Sequence, residues 1–142
     1  MPEFSHSIHV SPPPEEVFPW LLEEDKVPQW SGDLQRYEVI GTLGSGAHIL
    51  QTLDLAGGLK VDMEVTRYDP PSAAETRFES NGIKVVNTYA LEPNGAGTKV
   101  TQTFDAKASG ITGRMLIPVV QSRLEQKLTK DLEKLREVLG AA

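Results

Sequence analysis

The sequence predicts an α+β fold in which an antiparallel sheet of about seven strands packs against one long C-terminal helix. Three observations lead to this prediction. Short runs of alternating or β-branched residues recur between glycine- and proline-rich turns from residue 35 onward. No connection between these runs is long enough for the crossover helix that a parallel pair of strands requires. After residue 110 the spacing of the apolar residues changes from a period of two to a period of about 3.6.

The N-terminal segment predicts one strand and two short helical turns. The run from Phe4 to Val10 alternates apolar and polar residues, with His6 on the apolar side. Pro14 suits the first position of a helix that runs to about residue 22, and two glutamates follow it. Pro19 removes a hydrogen bond inside that helix, so we expect a bend there. A further helical turn follows. The inward-facing residues of the helix and of this turn are Val17, Trp20, Leu21, Val27 and Trp30.

Turn residues divide the middle of the chain into six further strands. The turns are predicted at residues 44–46, 57–58, 69–72, 81–82 and 94–97. The pair Asn81-Gly82 is the strongest of these signals, because both residues accept the positive φ of a two-residue hairpin. The second strand of this series is expected from Ala47 to Leu55. One face of the later strands then carries Val61, Met63, Val65, Thr76, Phe78, Val85, Asn87, Tyr89, Leu91, Val100, Gln102 and Phe104.

The long C-terminal helix is the clearest single element. Its apolar residues recur every three or four positions, at Val120, Leu124, Leu128, Leu132, Leu135 and Leu139. We expect the helix from about Met115 to Leu139, with Pro118 either starting it or kinking it. Charges of both signs fill the opposite face, and the sequence assigns Lys127 and Asp131 to this solvated stripe.

Length and composition predict a single domain over residues 1–142. The chain is long enough for one core, and its 39% hydrophobic and 24% charged residues are ordinary for a globular protein. Cysteine is absent, which excludes disulfides, thiolate metal ligands and a cysteine nucleophile. The N-terminus has no basic patch before an apolar stretch, and no apolar run approaches the roughly 20 residues of a spanning helix. We therefore expect a cytoplasmic protein with no integral membrane association.

The charge distribution argues against nucleic acid as a partner. Twenty acidic and fourteen basic residues give a net charge of -6, and the first 40 residues hold eight of the acids and two of the bases. Such a field repels phosphate backbones. A metal site is not expected, because His6 and His9 lie three apart on a strand and face opposite sides. The glycine-rich stretch 41–46 lacks the Gly-Lys-Ser/Thr ending of a phosphate-binding loop, and no cofactor is expected.

Four short motifs, in this order, resemble those of the START-like (SRPBCC) superfamily. They are SPPPEEVF at 11–18, PQW at 28–30, LEP at 91–93 and GTKVT at 97–101. This superfamily includes polyketide cyclases and dehydratases, lipid-transfer domains and birch-pollen-type allergens. The resemblance covers essentially the whole chain. It implies a helix-grip fold, in which a curved seven-stranded antiparallel sheet wraps around the C-terminal helix and leaves an apolar cavity, and it implies no shared catalytic residue.

Two amides stand out on the inner face of the predicted sheet. Asn87 and Gln102 lie among apolar residues, and a buried amide needs hydrogen-bond partners. They pair with each other or with neighbouring backbone, or they contact water or a polar group of a ligand. The predicted ligand-binding residues are Trp30, Met63, Phe78, Val85, Asn87, Tyr89, Gln102, Phe104, Met115 and Val119.

The first functional hypothesis is that a monomer or homodimer binds a hydrophobic small molecule, either lipid-like or polyketide-like, in this cavity. The alternative is a polyketide aromatase/cyclase or dehydratase in which His6 or Tyr89 transfers protons. Each of these residues also has a purely structural interpretation, His6 as a hydrogen-bonded core or rim histidine and Tyr89 as a packing residue. A third hypothesis is an interaction module with a filled core, which predicts a large exposed apolar patch.

Overall fold

The chain folds into one antiparallel sheet with a long helix packed on it. The computed structural model describes residues 3–54 and 58–142. The strands are β1 Glu3–Val10, β2 Leu34–Ile40, β3 His48–Leu53, β4 Leu59–Asp69, β5 Ala73–Ser80, β6 Ile83–Asn94 and β7 Gly97–Ala108. The helices are α1 Pro14–Val17, α2 Pro19–Leu22 and α3 Gly110–Leu139, with a 3-10 turn at Val27–Gln29. The predicted strand end at Leu55 and part of the predicted turn, Gly57, lie outside the described residues.

Each strand from β2 to β6 pairs with the next one along the chain, and β1 pairs with β7 at one edge of the sheet. The order is β1-β7-β6-β5-β4-β3-β2, and every neighbouring pair is antiparallel. The two short helices and the 3-10 turn carry the chain from the β1 edge to the β2 edge. Asn81 and Gly82 have φ values of 52° and 76°, as the predicted two-residue hairpin requires. The predicted α+β helix-grip fold is confirmed, with a curved sheet of seven strands around α3.

Strand alternation sets the inner face of the sheet as predicted. Every residue assigned to that face is buried or half-buried, and Val65, Thr76 and Val100 are fully buried. The apolar side of α3 covers β1 and β7 through Leu128 and other buried leucines. The core therefore lies between one face of the sheet and one face of the helix, with α1 and α2 closing one end.

The single helix predicted over residues 14–22 is instead two single-turn helices. Phe18 separates them, and Pro19 opens the second. Because proline has no N–H, the ladder of hydrogen bonds is interrupted at this point. Val17 and Phe18 are nevertheless buried, and so is Trp30 at the end of the predicted further turn.

Helix α3 begins at Gly110, earlier than the predicted start near Met115. Its first turns cross the β5–β6 turn at very close range, because a Cβ atom on Gly113 would overlap the carbonyl oxygen of Gly82. Glycine in this segment therefore serves close packing within a helix. Pro118 lies inside the helix and does not start it.

Candidate functional site

A cavity of about 110 Å³ lies between the inner face of the sheet, α3 and the segment that carries α2 and the 3-10 turn. Apolar side chains form most of its wall. These are Leu21, Leu22, Val27, Trp30, Leu53, Met63, Phe78, Val85, Phe104, Leu124 and Leu128. The polar groups on the wall are Ser31, Tyr37, Gln51, Thr76, Asn87, Tyr89, Gln102, Lys127 and Asp131. An apolar pocket with a few polar groups is the usual form of a small-molecule site.

A polar row crosses the inner face of the sheet at the cavity. Strand register sets Thr76 opposite Asn87, Tyr89 opposite Gln102, and Gln102 opposite His6. The Gln102 amide donates to Asn87 Oδ1 over 2.9 Å and to the Tyr89 hydroxyl oxygen over 3.2 Å. The two amides therefore pair with each other, which is the structural alternative that the sequence left open.

This pairing leaves two polar atoms in the row without a partner. Gln102 Oε1 and Thr76 Oγ1 are buried and accept no hydrogen bond from the described residues. Residue exposure is 9% for Gln102 and 0% for Thr76. Buried polar atoms in native proteins are nearly always satisfied by protein, water or ligand. A cavity of this volume has room for water or for the polar group of a ligand beside these two atoms.

Tyr89 contributes a neutral phenol to the cavity. Burial is the main reason why its pKa is raised to about 12, and the nearby Asn87 amide acts in the opposite direction. At neutral pH the hydroxyl is therefore protonated and can orient a polar group by hydrogen bonding. The same shift makes the phenol a weaker acid, so it gives up its proton less readily than an exposed tyrosine does.

A nearly buried ion pair lines one end of the cavity. Lys127 Nζ donates to Asp131 Oδ2 at 2.7 Å, to the Gly32 carbonyl at 2.6 Å and to Ser31 Oγ at 3.1 Å. Asp131 Oδ1 in turn accepts the Gly32 N–H over 2.9 Å. The two side chains are only 14% and 9% exposed. Lys127 and Asp131 thus fasten the loop after the 3-10 turn to α3.

The assignment of this pair to a solvated helix face was wrong. Asp131 lies three residues after Leu128 and seven after Leu124, which are spacings that return to the same side of a helix. The spacing of Asp131 therefore predicts an inward position, but the prediction of a solvated face was based on the charge of Lys127 and Asp131. Their burial is possible because the loop at Gly32 supplies backbone partners that no helical period reveals.

Eight of the ten predicted ligand-binding residues line the cavity, and two do not. The eight are Trp30, Met63, Phe78, Val85, Asn87, Tyr89, Gln102 and Phe104. Met115 and Val119 are 75% and 56% exposed, and with Ile111 they form an outward-facing apolar row on α3. In this part of the helix Ile117 packs against the core. Met115 and Val119 are each two positions from Ile117, so they lie about 200° round the helix axis, on the opposite side.

His6, the other residue considered for proton transfer, lies outside the cavity. Its Nε2 is 2.9 Å from Glu133 Oε2 on α3, and the side chain is 28% exposed. This hydrogen bond is the main cause that lowers the pKa of Glu133. His9 and His48 have separate partners, Asn94 and Asp62. Within residues 3–54 and 58–142 the three histidines therefore do not converge on one another.

Comparison with known proteins identifies one matching family model. The family is described as polyketide cyclase / dehydrase and lipid transport, and the match covers residues 1–140. No functionally curated protein is significantly similar in sequence. Within the described residues, none of the helices is long and apolar enough to span a bilayer.

Solved structures of several proteins share the fold at low sequence identity. The protein TTHA0849 from Thermus thermophilus matches with a TM-score of 0.78 and 19% identity, over 95% of this chain and 94% of its own. StfQ, a di-domain ARO/CYC of the steffimycin biosynthetic pathway, matches with a TM-score of 0.79 and 10% identity, over 96% of this chain and 50% of its own. The Aha1 dimer from Colwellia psychrerythraea gives a TM-score of 0.70 at 19% identity, over 98% and 96% of the two chains.

Proposed function

Because this chain belongs to the polyketide cyclase / dehydrase and lipid transport family, we propose that it binds a hydrophobic small molecule, polyketide-like or lipid-like, between the sheet and α3. The observation that supports this proposal is the polar row inside a cavity whose wall is mostly apolar. Gln102 Oε1 and Thr76 Oγ1 are buried there without protein partners among the described residues. Leaving such atoms unpaired costs about 1–3 kcal/mol each, and a ligand hydroxyl would remove that cost.

Two kinds of interaction would contribute to binding. Apolar contact with side chains such as Phe104, Met63 and Trp30 supplies about 25 cal/mol for each Å² of buried surface. Gln102 Oε1 accepts a hydrogen bond from the ligand and so sets its orientation. This arrangement favours an apolar or aromatic compound that carries a hydroxyl donor over a pure hydrocarbon.

The test compares 2-naphthol with naphthalene, two probes of similar shape that differ by one hydroxyl. Wild-type protein should bind 2-naphthol about tenfold more tightly, since one hydrogen bond to a buried acceptor is worth roughly 1–1.5 kcal/mol. Gln102→Leu should remove this preference. Gln35→Leu makes the same change at an exposed position on β2 and should preserve it. Quenching of the Trp30 fluorescence reports binding, because that indole lines the cavity.

A second measurement identifies the compound that the protein binds naturally. Mass spectrometry on an organic extract of the natively purified protein should reveal a stoichiometric apolar compound. An empty protein that binds neither naphthalene nor 2-naphthol would overturn the proposal. A Gln102→Leu variant that is merely destabilised, with its preference for 2-naphthol intact, would remove Gln102 from the site.

The alternative is that the same cavity catalyses an aromatase/cyclase or dehydratase reaction. The family description favours it, and Tyr89 is the candidate that the cavity retains now that His6 lies outside. With its pKa near 12, Tyr89 would act by donating a hydrogen bond to a ketone oxygen. Turnover lost in Tyr89→Phe while ligand binding survives would establish this alternative.

A further inference from the structure

A cationic groove runs along the outer side of α3, next to the cavity. It encloses about 580 Å³ and is lined by Asp33, Pro118, Val119, Ser122, Arg123, Gln126, Lys127 and Lys130. Its three cations face a single carboxylate, in a protein whose net charge is -6. Arg123, Lys127 and Lys130 follow one another at spacings of four and three, so they share one side of the helix.

Lys127 lines both the cationic groove and the cavity. Its ammonium group has three donors, and these are directed to Ser31, Gly32 and Asp131. Lys127 therefore lies at the boundary that the two spaces share. Arg123 and Lys130 are exposed and, among the residues that the structure describes, form no ion pair, so their donors are available to an anion.

The sizes of the two spaces suggest that a ligand occupies both. The cavity of about 110 Å³ is smaller than the roughly 300–1,000 Å³ of typical small-molecule pockets. A lipid-like or polyketide-like ligand would therefore extend beyond it. The groove on the other side of the Ser31–Gly32 loop carries Asp131, Glu133 and Glu137 against two lysines. Lys130 lines both grooves, and Lys127 and Asp131 neutralise each other. The remaining charges are two cations against Asp33 in the cationic groove and two lysines against two glutamates in the other, so an anionic group is attracted more strongly to the cationic groove.

We propose that the ligand is an anionic amphiphile whose carboxylate or phosphate head binds Arg123 and Lys130 in the cationic groove. Its apolar part passes Lys127 and enters the cavity. The inference rests on the proposed function, because the cavity must first accept an apolar group. Arginine suits this role, since its planar guanidinium pairs with a carboxylate or phosphate through two parallel hydrogen bonds.

The experiment uses three probes with the same eight-carbon chain: 1-octanol, octanoate and octyl phosphate. Both anionic probes should bind wild-type protein about tenfold more tightly than 1-octanol at low ionic strength, and added salt should reduce this advantage. The double variant Arg123→Gln/Lys130→Gln should lose the advantage and keep its affinity for 1-octanol. Lys107→Gln/Arg114→Gln removes the same charge from exposed positions outside the groove and should behave as wild type.

Each contrary outcome has a separate meaning. Equal binding of the neutral probe and both anionic probes by wild-type protein would overturn the head-group site and leave the proposed function standing. An advantage lost equally in the control double variant would also overturn it, because the effect would then come from net charge. Failure of 1-octanol, 2-naphthol and naphthalene to bind would overturn the proposed function itself.

Discussion

Lys127 and Asp131 show how two charges become part of a cavity wall. The ammonium and the carboxylate are nearly buried, and each has hydrogen-bond partners on the loop at Ser31 and Gly32. Two ions that leave water lose several kcal/mol of hydration each, and mutual attraction offsets this loss only when the remaining donors and acceptors are satisfied. Here they are satisfied, so removal of one partner should cost far more than removal of both.

The effects of substituting Lys127 and Asp131 on the free energy of unfolding should depend strongly on each other. Asp131→Leu should lower the free energy of unfolding by about 3–5 kcal/mol, because it leaves the Lys127 ammonium buried without a counter-ion. The double variant Lys127→Met/Asp131→Leu should recover part of that loss. Urea unfolding measures both values.

A surface pair supplies the control for this experiment. Lys134 and Glu137 are 3.7 Å apart on α3 and 51% and 75% exposed. Lys134→Met/Glu137→Leu should change stability by less than about 1 kcal/mol. A double variant in the cavity wall that loses as much stability as Asp131→Leu alone would contradict the expected dependence.

At the scale of elements, the contact between α3 and the β5–β6 turn determines where the helix begins. Gly113 has no side chain, so the helix backbone approaches the carbonyl group of Gly82. The same carbonyl accepts the Ser109 N–H over 2.7 Å, immediately before the helix. The approach also explains why a segment containing two glycines is helical: tertiary contact compensates for low helix propensity.

Gly113→Ala should therefore destabilise the protein, although alanine ordinarily stabilises a helix by about 0.5–1 kcal/mol relative to glycine. The new methyl group would overlap backbone atoms, which cannot rotate away, and overpacking of this kind costs about 1–3 kcal/mol. Thr112→Ala, at the exposed neighbouring position, should be neutral or slightly stabilising. Thermal unfolding distinguishes the two, and a gain in stability for Gly113→Ala would show that the contact is not close.

At the scale of the whole molecule, buried phenols connect stability to pH. Burial raises the pKa of Tyr89 to about 12, and it raises that of Tyr37, whose hydroxyl donates to the Leu22 carbonyl at 2.6 Å. Above pH 10 an unfolded tyrosine loses its proton, whereas Tyr89 in the folded protein keeps its own until about pH 12. The folded state then binds more protons than the unfolded state, so stability falls as pH rises.

We expect this loss between pH 10 and about 12, at up to about 1.4 kcal/mol per pH unit for each buried phenol. Tyr89→Phe should make the decline shallower, because one of the ionising groups is gone. Tyr68→Phe changes a half-buried tyrosine and should alter the slope less. Urea unfolding across this range measures the slopes, and identical slopes in wild type and Tyr89→Phe would contradict the prediction.

The oligomeric state of the molecule, a monomer or a homodimer, stays a prediction.

The resemblance to the START-like superfamily implied the helix-grip fold. Local patterns in the sequence predicted the strand faces, the hairpin at Asn81-Gly82 and the inward row of α3. These features depend on backbone geometry within a few residues, where a period of two or 3.6 decides which side chains share a face. Three features come from tertiary contacts alone: the pairing of Gln102 with Asn87, the near burial of Lys127 and Asp131, and the start of α3 against Gly82. Such partners are distant in sequence, so no local pattern encodes the distances between them. The volume of the cavity depends on all of these contacts at once, because it is the space that the packed sheet and helix leave unfilled.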